Sequence, residues 1–396
     1  MRLNRCVNLV VVACAIVLAS ILLSNRVYTH GSVTTTVLFD REIVRMLESR
    51  CVSCHNEGGL SFPLSTYEQT WVKRVAMRAE VLRRHMPPWS AVPGYGEFAN
   101  DNGLTLRETQ FLISWVEGLG PRNAGSIFLN VPGAQPAPPP VRATATVGRW
   151  QLGEPDLTRR LDTIRIAAGA GDVVRRTIVD LELTAPRLVN AIEFMPGDRR
   201  SIRAATFTVE ATGQWLAGWT PWYGFAKLPG GVAHRLPAGT RVVADVHYRV
   251  GNEPVTDTGT LGLFFAEEQP VATPSDLVLE AGRMSGRRSG AGVSPNTLGA
   301  SVRLTTDSTV WAFQPDVTAG TLSLELSARG RDGRTEMLLL AQDPPAAWPT
   351  PYVLKSPVRL VRGTELRFVV QRAAVGSAPV RLVLSRYSPV AERSLK

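Results

Sequence analysis

The spacing of apolar and polar positions divides the chain into three kinds of segment. From Val7 to Leu23, only Asn8 and Ser20 interrupt a 17-residue apolar run. Between residues 33 and 123, apolar side chains recur at helical spacing, and beyond residue 141 short alternating runs are separated by Gly or Pro. The pattern predicts a multi-domain chain with an N-terminal membrane helix, a small all-α domain and then all-β tandem jelly-roll or β-sandwich domains.

Three amphipathic helices are predicted in the all-α segment. The first precedes Cys51, the second follows a capping box of Ser65 and Glu68, and the third follows a capping box of Thr105 and Glu108. Three helices joined by long loops bury little surface for about 90 residues. Something large and apolar is therefore expected to fill the middle of this domain.

The β region is predicted to hold two sandwiches, because two of its segments share the spacing Leu-x-x-Gly-Thr-x-apolar. They begin at Leu236 and at Leu360. The predicted domains are 1–32, 33–123, a Pro-rich linker at 124–140, 141–275 and 276–396. The predicted strands include 177–183, 202–209, 241–250, 261–265, 321–326, 337–340 and 366–370.

Residues 1–32 are predicted to be a signal anchor. Arg2 and Arg5 precede the apolar run, which would span roughly 25 Å as a helix, close to the thickness of a hydrocarbon core. A cleaved signal peptide, with Val17 and Ala19 before the cut, is the alternative. Both interpretations place the bulk of the chain in the periplasm, and the anchor predicts a single-pass protein of the bacterial inner membrane.

The charge distribution and the cysteine content argue against a nucleic-acid-binding protein and against a disulfide-stabilised domain. The net charge is +10, but 40 Arg and four Lys are dispersed rather than focused, so no nucleic-acid partner is expected. Of the four Cys, Cys6 and Cys14 lie in the apolar run, and no Cys follows Cys54. A disulfide framework is therefore excluded, and core packing must hold the fold together.

The sequence Cys51-Val52-Ser53-Cys54-His55 carries the candidate chemistry. Two thiols at this spacing can add to the two vinyl groups of one haem, and the adjacent His can then bind the iron. A zinc site would need a second ligand pair, and a thioredoxin-like site would need a βαβ context. The motif predicts one covalent haem c, with His55 as an axial ligand.

The second axial ligand is sought in the loop after the second predicted helix. Met86 stands before two prolines that would stiffen the loop, and His85 is the rival ligand. Arg83 and Arg84, which lead into the loop, are candidate partners for the haem propionates or part of a docking patch. A Met/His pair would fill both axial positions and suit electron transfer.

These motifs together resemble a known family. Residues 40–122 resemble the cytochrome c module joined to bacterial copper type II, ascorbate-dependent monooxygenases of the peptidylglycine-hydroxylating kind. In the β region, Glu193–Gly197, Val246–Tyr248 and Trp348–Tyr352 resemble segments of that family's tandem sandwiches. The resemblance implies two copper sites, one held by a His-His pair plus one His and the other by a His-x-His pair plus a Met.

The expected copper ligands are mostly missing. Residues 201–206 stand where the His-His pair is expected, and residues 315–318 stand where the His-x-His pair is expected. The β region contains only His234 and His247, so copper is not expected. We interpret His247 as a remaining strand residue and His234 as a residue of a surface loop.

The sequence thus predicts a membrane-tethered, exported cytochrome that transfers single electrons and is not itself an enzyme. Its partners would be a redox protein or a membrane complex, with the β region as a docking or assembly scaffold. One alternative is a haem-coupled copper monooxygenase using His247, Asp316 and either Met284 or Met337. A second alternative is a structural subunit of a larger membrane electron-transfer complex.

Overall fold

The computed structural model describes residues 35–123, 149–283, 296–374 and 379–388. Its helical elements all lie in the first of these ranges: a π-helical turn at Phe39–Ile43, then α1 (Val44–Arg50), α2 (Tyr67–Leu82) and α3 (Leu106–Glu117). Strands make up the ordered elements of the remaining ranges. The described chain is therefore mostly β.

Capping interactions define where α2 and α3 begin. Thr66 Oγ1 accepts the backbone N–H of Gln69 at 3.3 Å, and Gln69 Oε1 accepts that of Thr66 at 3.1 Å. The capping box of α2 thus lies one residue beyond the predicted pair of Ser65 and Glu68. The box predicted for α3 is confirmed, since Thr105 and Glu108 exchange the same two bonds at 3.1 and 2.7 Å.

Eleven strands form the first sandwich. One sheet has the order β1-β11-β4-β7, with β8 also paired to β4, and the facing sheet has the order β3-β9-β5-β6, while β2 and β10 form a separate two-stranded sheet. Buried positions alternate along β9, and Phe194, Phe207 and Trp219 fill the space between the sheets. The strands are β1 (Leu157–Arg160), β2 (Ile164–Ile166), β3 (Gly171–Asp180), β4 (Arg187–Met195), β5 (Ile202–Val209), β6 (Trp215–Trp219), β7 (Phe225–Lys227), β8 (His234–Leu236), β9 (Arg241–Val250), β10 (Val255–Asp257) and β11 (Thr260–Phe265).

Eight strands form the second sandwich, in the order β16-β15-β18-β13-β12-β19-β14-β17. Strand β12 joins its two halves, because it pairs with β19 up to Ala281 and with β13 at Gly282 and Arg283. Phe313 and Phe368 are fully buried in its core. The strands are β12 (Pro274–Arg283), β13 (Thr297–Arg303), β14 (Ser308–Asp316), β15 (Thr321–Arg329), β16 (Thr335–Gln342), β17 (Tyr352–Leu360), β18 (Glu365–Arg372) and β19 (Val380–Tyr387).

The loop between α2 and α3 belongs to the second sandwich. Ala91 forms a β-bridge with Ala341 on β16, and Phe98 forms one with Leu354 on β17. These two strands are the edges of the eight-stranded sheet, and an edge strand has unpaired backbone groups that a loop can cover. The predicted self-contained all-α cytochrome domain is therefore wrong, because part of this segment completes a β core.

The membrane prediction is also corrected. The predicted membrane helix at 1–32 and the predicted linker at 124–140 lie outside the described residues. Within the described ranges, the longest helix is α2 with 16 residues, and no helix is long and apolar enough to cross a bilayer. The single-pass inner-membrane location therefore has no support in the described part of the chain and is not proposed again.

Candidate functional site

A cavity of about 370 Å³ lies where the helical segment meets both sandwiches. Its volume falls in the range of ligand pockets, roughly 300–1,000 Å³. Cys51, Cys54, His55 and Met86 all line it, although they come from the two ends of a 36-residue stretch. Most of the other wall residues are apolar: Met46, Leu60, Phe62, Leu64, Ala76, Met77, Val81, Pro87, Pro88, Leu104, Leu112 and Trp348.

The two cysteines follow α1 in a tight turn. The backbone N–H groups of Cys54 and His55 both donate to the carbonyl of Cys51, at 3.1 and 2.9 Å. Burial raises the pKa of Cys51 to about 12 and that of Cys54 to about 11. A redox-active dithiol needs a lowered thiol pKa, so this environment does not suit thioredoxin-like chemistry.

His55 is held in one tautomer. Its Nδ1 lies 2.9 Å from the backbone carbonyl of Phe62, which can only accept, so Nδ1 carries the proton. Burial lowers the pKa of His55, although the bond to Phe62 opposes this, and the neutral ring leaves Nε2 unprotonated. A hydrogen bond of this kind is how proteins orient a histidine for metal ligation through its other nitrogen.

Of the two candidates for the second axial ligand, only Met86 lines the cavity. His85 instead directs Nδ1 to Glu80 Oε2 at 3.0 Å, and its side chain is 65% exposed. The bond to Glu80 holds His85 on the surface of α2. The structure therefore brings Met86, and not His85, into the same cavity as His55.

The cationic residues on the cavity wall are not those singled out from the sequence. Arg83 donates to Glu80 Oε1 at 3.0 Å and Arg84 to Gln342 Oε1 at 2.9 Å, and neither lines the cavity. Three other arginines do: Arg50, Arg203 and Arg249. No sequence signal could have found Arg203 and Arg249, which lie about 150–200 residues beyond the Cys motif and reach the cavity only through the tertiary fold.

Among the described residues, no three His, Cys, Asp or Glu side chains converge as they would in a metal site built from protein side chains alone. Haem iron has different needs, because the porphyrin supplies four nitrogens and the protein supplies axial ligands only. Two thiols at the vinyl-adding spacing, the free Nε2 of His55 and the thioether of Met86 share one apolar cavity. The residues present fit a covalently attached haem.

His247 and Asp316 line a second cavity of about 720 Å³ between the two sandwiches. Met337 does not line it, and Met284 lies outside the described residues. The prediction that His234 lies in a surface loop is wrong: it is on β8 and 2% exposed. Both ring nitrogens of His234 are buried, and the backbone of Leu216 is the polar group that opposes the effect of burial on the ring.

Comparisons with known proteins add little to this picture. No family model matches the chain, and no curated protein matches it. Among solved structures, the major capsid protein P2 of bacteriophage PM2 has a TM-score of 0.27 and 9% identity, over 60% of this chain and 98% of that one. A xanthan lyase of Paenibacillus has a TM-score of 0.18 and 10% identity, over 62% of this chain and 28% of that one. TM-scores this low do not establish a common fold.

Proposed function

We propose that the chain is a c-type cytochrome that carries one covalent haem and passes single electrons to a redox partner protein. The observation that supports this most is the convergence of Cys51, Cys54, His55 and Met86 on one apolar cavity. The sandwiches would act as a docking or assembly scaffold. They already contribute Arg203, Arg249 and Trp348 to the cavity wall.

Each residue has a distinct task in this proposal. The thiols of Cys51 and Cys54 would hold the haem covalently through two thioether bonds, one to each former vinyl group. His55 would hold the iron through Nε2, because the carbonyl of Phe62 accepts from Nδ1–H, and Met86 would offer its sulfur. The apolar wall would surround the haem with side chains of low polarity. A bound haem supplies iron that cycles between the ferrous and ferric states by one electron.

The residues that hold a haem decide the type of chemistry it supplies. Held by both His55 and Met86, the haem would supply one-electron transfer, and the thioether of Met86 would raise its potential. The protein is therefore expected to exchange electrons and not to activate oxygen at the haem. Its donor and acceptor would be redox proteins or a complex that recognises the sandwiches.

Covalent haem attachment tests the proposal directly. The chain, produced in a host with a c-type haem maturation system, should show one haem c per chain in a pyridine haemochrome spectrum. The colour should survive extraction with acidic acetone, because thioether bonds do not dissociate. The Cys51→Ala/Cys54→Ala double variant should lose it. A wild-type protein that is colourless after extraction would contradict the proposal.

Substitution of the axial Met should change the iron without removing the haem. The oxidised protein should carry a weak sulfur-to-iron charge-transfer band in the far red. Met86→Ala should abolish this band and lower the midpoint potential by roughly 0.2 V, a fraction of the ~0.8 V range set by axial ligands. His85→Ala is the matched control, because its side chain faces Glu80. A band that persists in Met86→Ala and disappears in His85→Ala would assign the ligand to His85.

A further inference from the structure

Two arginines of the first sandwich share one carboxylate beside the candidate haem cavity. Arg203 on β5 approaches Asp172 Oδ1 at 3.0 Å, and Arg249 on β9 approaches the same oxygen at 3.3 Å. Asp172 lies on β3, which pairs with β9. One negative charge thus faces two positive charges, and the group keeps a net positive charge on the cavity wall.

Arg203 is the more buried of the two. Its side chain is 18% exposed, its guanidinium lies 5.3 Å from the ring centre of Trp348, and its Nε is buried with no hydrogen-bond partner among the described residues. Burial lowers the pKa of Arg203 from its very high ordinary value, while the charge of Asp172 opposes this. A guanidinium stays protonated in proteins, so the positive charge persists in a poorly hydrated place.

The other charged groups on the cavity wall already have protein partners. Arg50 donates to the carbonyl of Asp101 at 2.8 Å and to Glu108 at 3.3 Å. Glu80 accepts from Arg83 and His85 at 3.0 Å each. The pair of Arg203 and Arg249 is therefore the part of the described wall where an additional anion would be stabilised most.

The haem proposed above carries two propionate carboxylates, and the inference rests on that proposal. We propose that Arg203 and Arg249 bind a haem propionate, so that the first sandwich forms part of the haem site. Guanidinium groups match carboxylates in shape and charge, and such bonds are about twice as strong as neutral hydrogen bonds. The two arginines would hold the haem against β5 and β9 and tie the helical segment to the first sandwich.

This placement changes the energetics of electron transfer in a defined direction. Positive charge beside the haem favours the ferrous state, in which the iron carries one charge fewer, and so raises the midpoint potential. It also favours the ionised propionate, so the propionate titrates at a lower pH. Both effects can be measured without any assay of turnover.

The test compares these arginines with Arg84, which was singled out from the sequence but does not line the cavity. Arg203→Gln and Arg249→Gln should each lower the midpoint potential. They should also raise the pKa of the propionate by about 1–3 units, which is measured as a shift in the pH at which the midpoint potential begins to fall. Arg84→Gln, whose partner is the neutral side chain of Gln342 and which does not line the cavity, is the control and should leave both quantities unchanged.

Two further variants separate a propionate contact from damage to the fold. Asp172→Asn removes the opposing carboxylate, so it should raise the potential and lower the titration pH, which a misfolded protein would not do. Arg203→Lys keeps the charge and should restore most of the wild-type potential. Unchanged values in Arg203→Gln, with one covalent haem per chain, would overturn this inference alone. Absence of covalent haem in the wild type would overturn the proposed function as well.

Discussion

Replacement of Phe98 by alanine should lower the free energy of unfolding by about 3–5 kcal/mol, the usual cost of removing a buried aromatic ring. Phe98 is 3% exposed, and its ring contacts Trp89, Phe313 and Tyr352 at centroid distances of 5.3–6.5 Å. It anchors the loop that covers both edge strands of the second sandwich. Phe98→Ala should also disturb the position of Met86, because the same loop carries Met86.

Urea denaturation measures the first effect, and the far-red charge-transfer band of the oxidised protein measures the second. Phe98→Ala should weaken the band, since the loop that positions Met86 loses its anchor. Phe207→Ala is the matched control: Phe207 is equally buried, but it lies in the first sandwich, in contact with Phe194. It should cost a similar free energy and leave the band intact. If the band were equally strong in the two variants, the position of Met86 would not depend on the packing of Phe98.

The strands of both sandwiches could be predicted where one face is buried and the other exposed. The predicted bounds at 202–209 and 241–250 match β5 and β9. The spacing shared by the segments beginning at Leu236 and Leu360 also has a structural origin. In each sandwich it marks the turn between two strands, where Gly239 and Gly363 have φ values of +70° and +90° that favour glycine. The sequence pattern therefore predicted strands and turns, whose conformation depends on residues close together in the chain.

Long-range packing could not be predicted in this way. The stretch from Ser90 to Ala99 has no strand-like alternation, yet its backbone bonds to Leu340, Gln342, Val353 and Lys355 at 2.7–2.9 Å. Those bonds exist because two edge strands, far apart in sequence, have free backbone groups in the folded protein. The helical periodicity of the flanking segments predicted a separate domain. The loop between them instead pairs with the two edge strands, whose backbone groups need hydrogen-bond partners.

The residues of the candidate site also differ in whether the local sequence could predict them. The Cys51 and Cys54 spacing is local and carries its chemistry in the sequence, and Met86 could be chosen from the prolines beside it. The wall contributed by β5 and β9 depends on how the segments dock, so Arg203 and Arg249 had no sequence signature. His234 illustrates the opposite error. A lone His between loops suggested exposure, whereas the three-residue strand β8 buries it.

That burial predicts a pH-dependent loss of stability. Burial lowers the pKa of His234 to about 4, partly opposed by the backbone of Leu216, whereas the unfolded chain has the ordinary value near 6.5. Between these two values the unfolded chain binds more protons than the native protein, so acidification favours unfolding. His234 alone should remove about 3 kcal/mol of stability as the pH falls from above 6.5 to 4. Its contribution should level off about one pH unit below 4, where native His234 is also protonated.

The measurement is urea denaturation at a series of pH values, compared between the wild type and His234→Leu. Leucine is apolar, of similar size, and leaves no ring nitrogens in the core, so the variant should fold. Buried carboxyl groups also titrate in acid, but they do so in both proteins, so the difference between the two stability curves isolates His234. That difference should widen by about 3 kcal/mol, in favour of the variant, on going from pH 7 to pH 4. Parallel curves for the wild type and His234→Leu would show that His234 does not enter the acid-unfolding equilibrium.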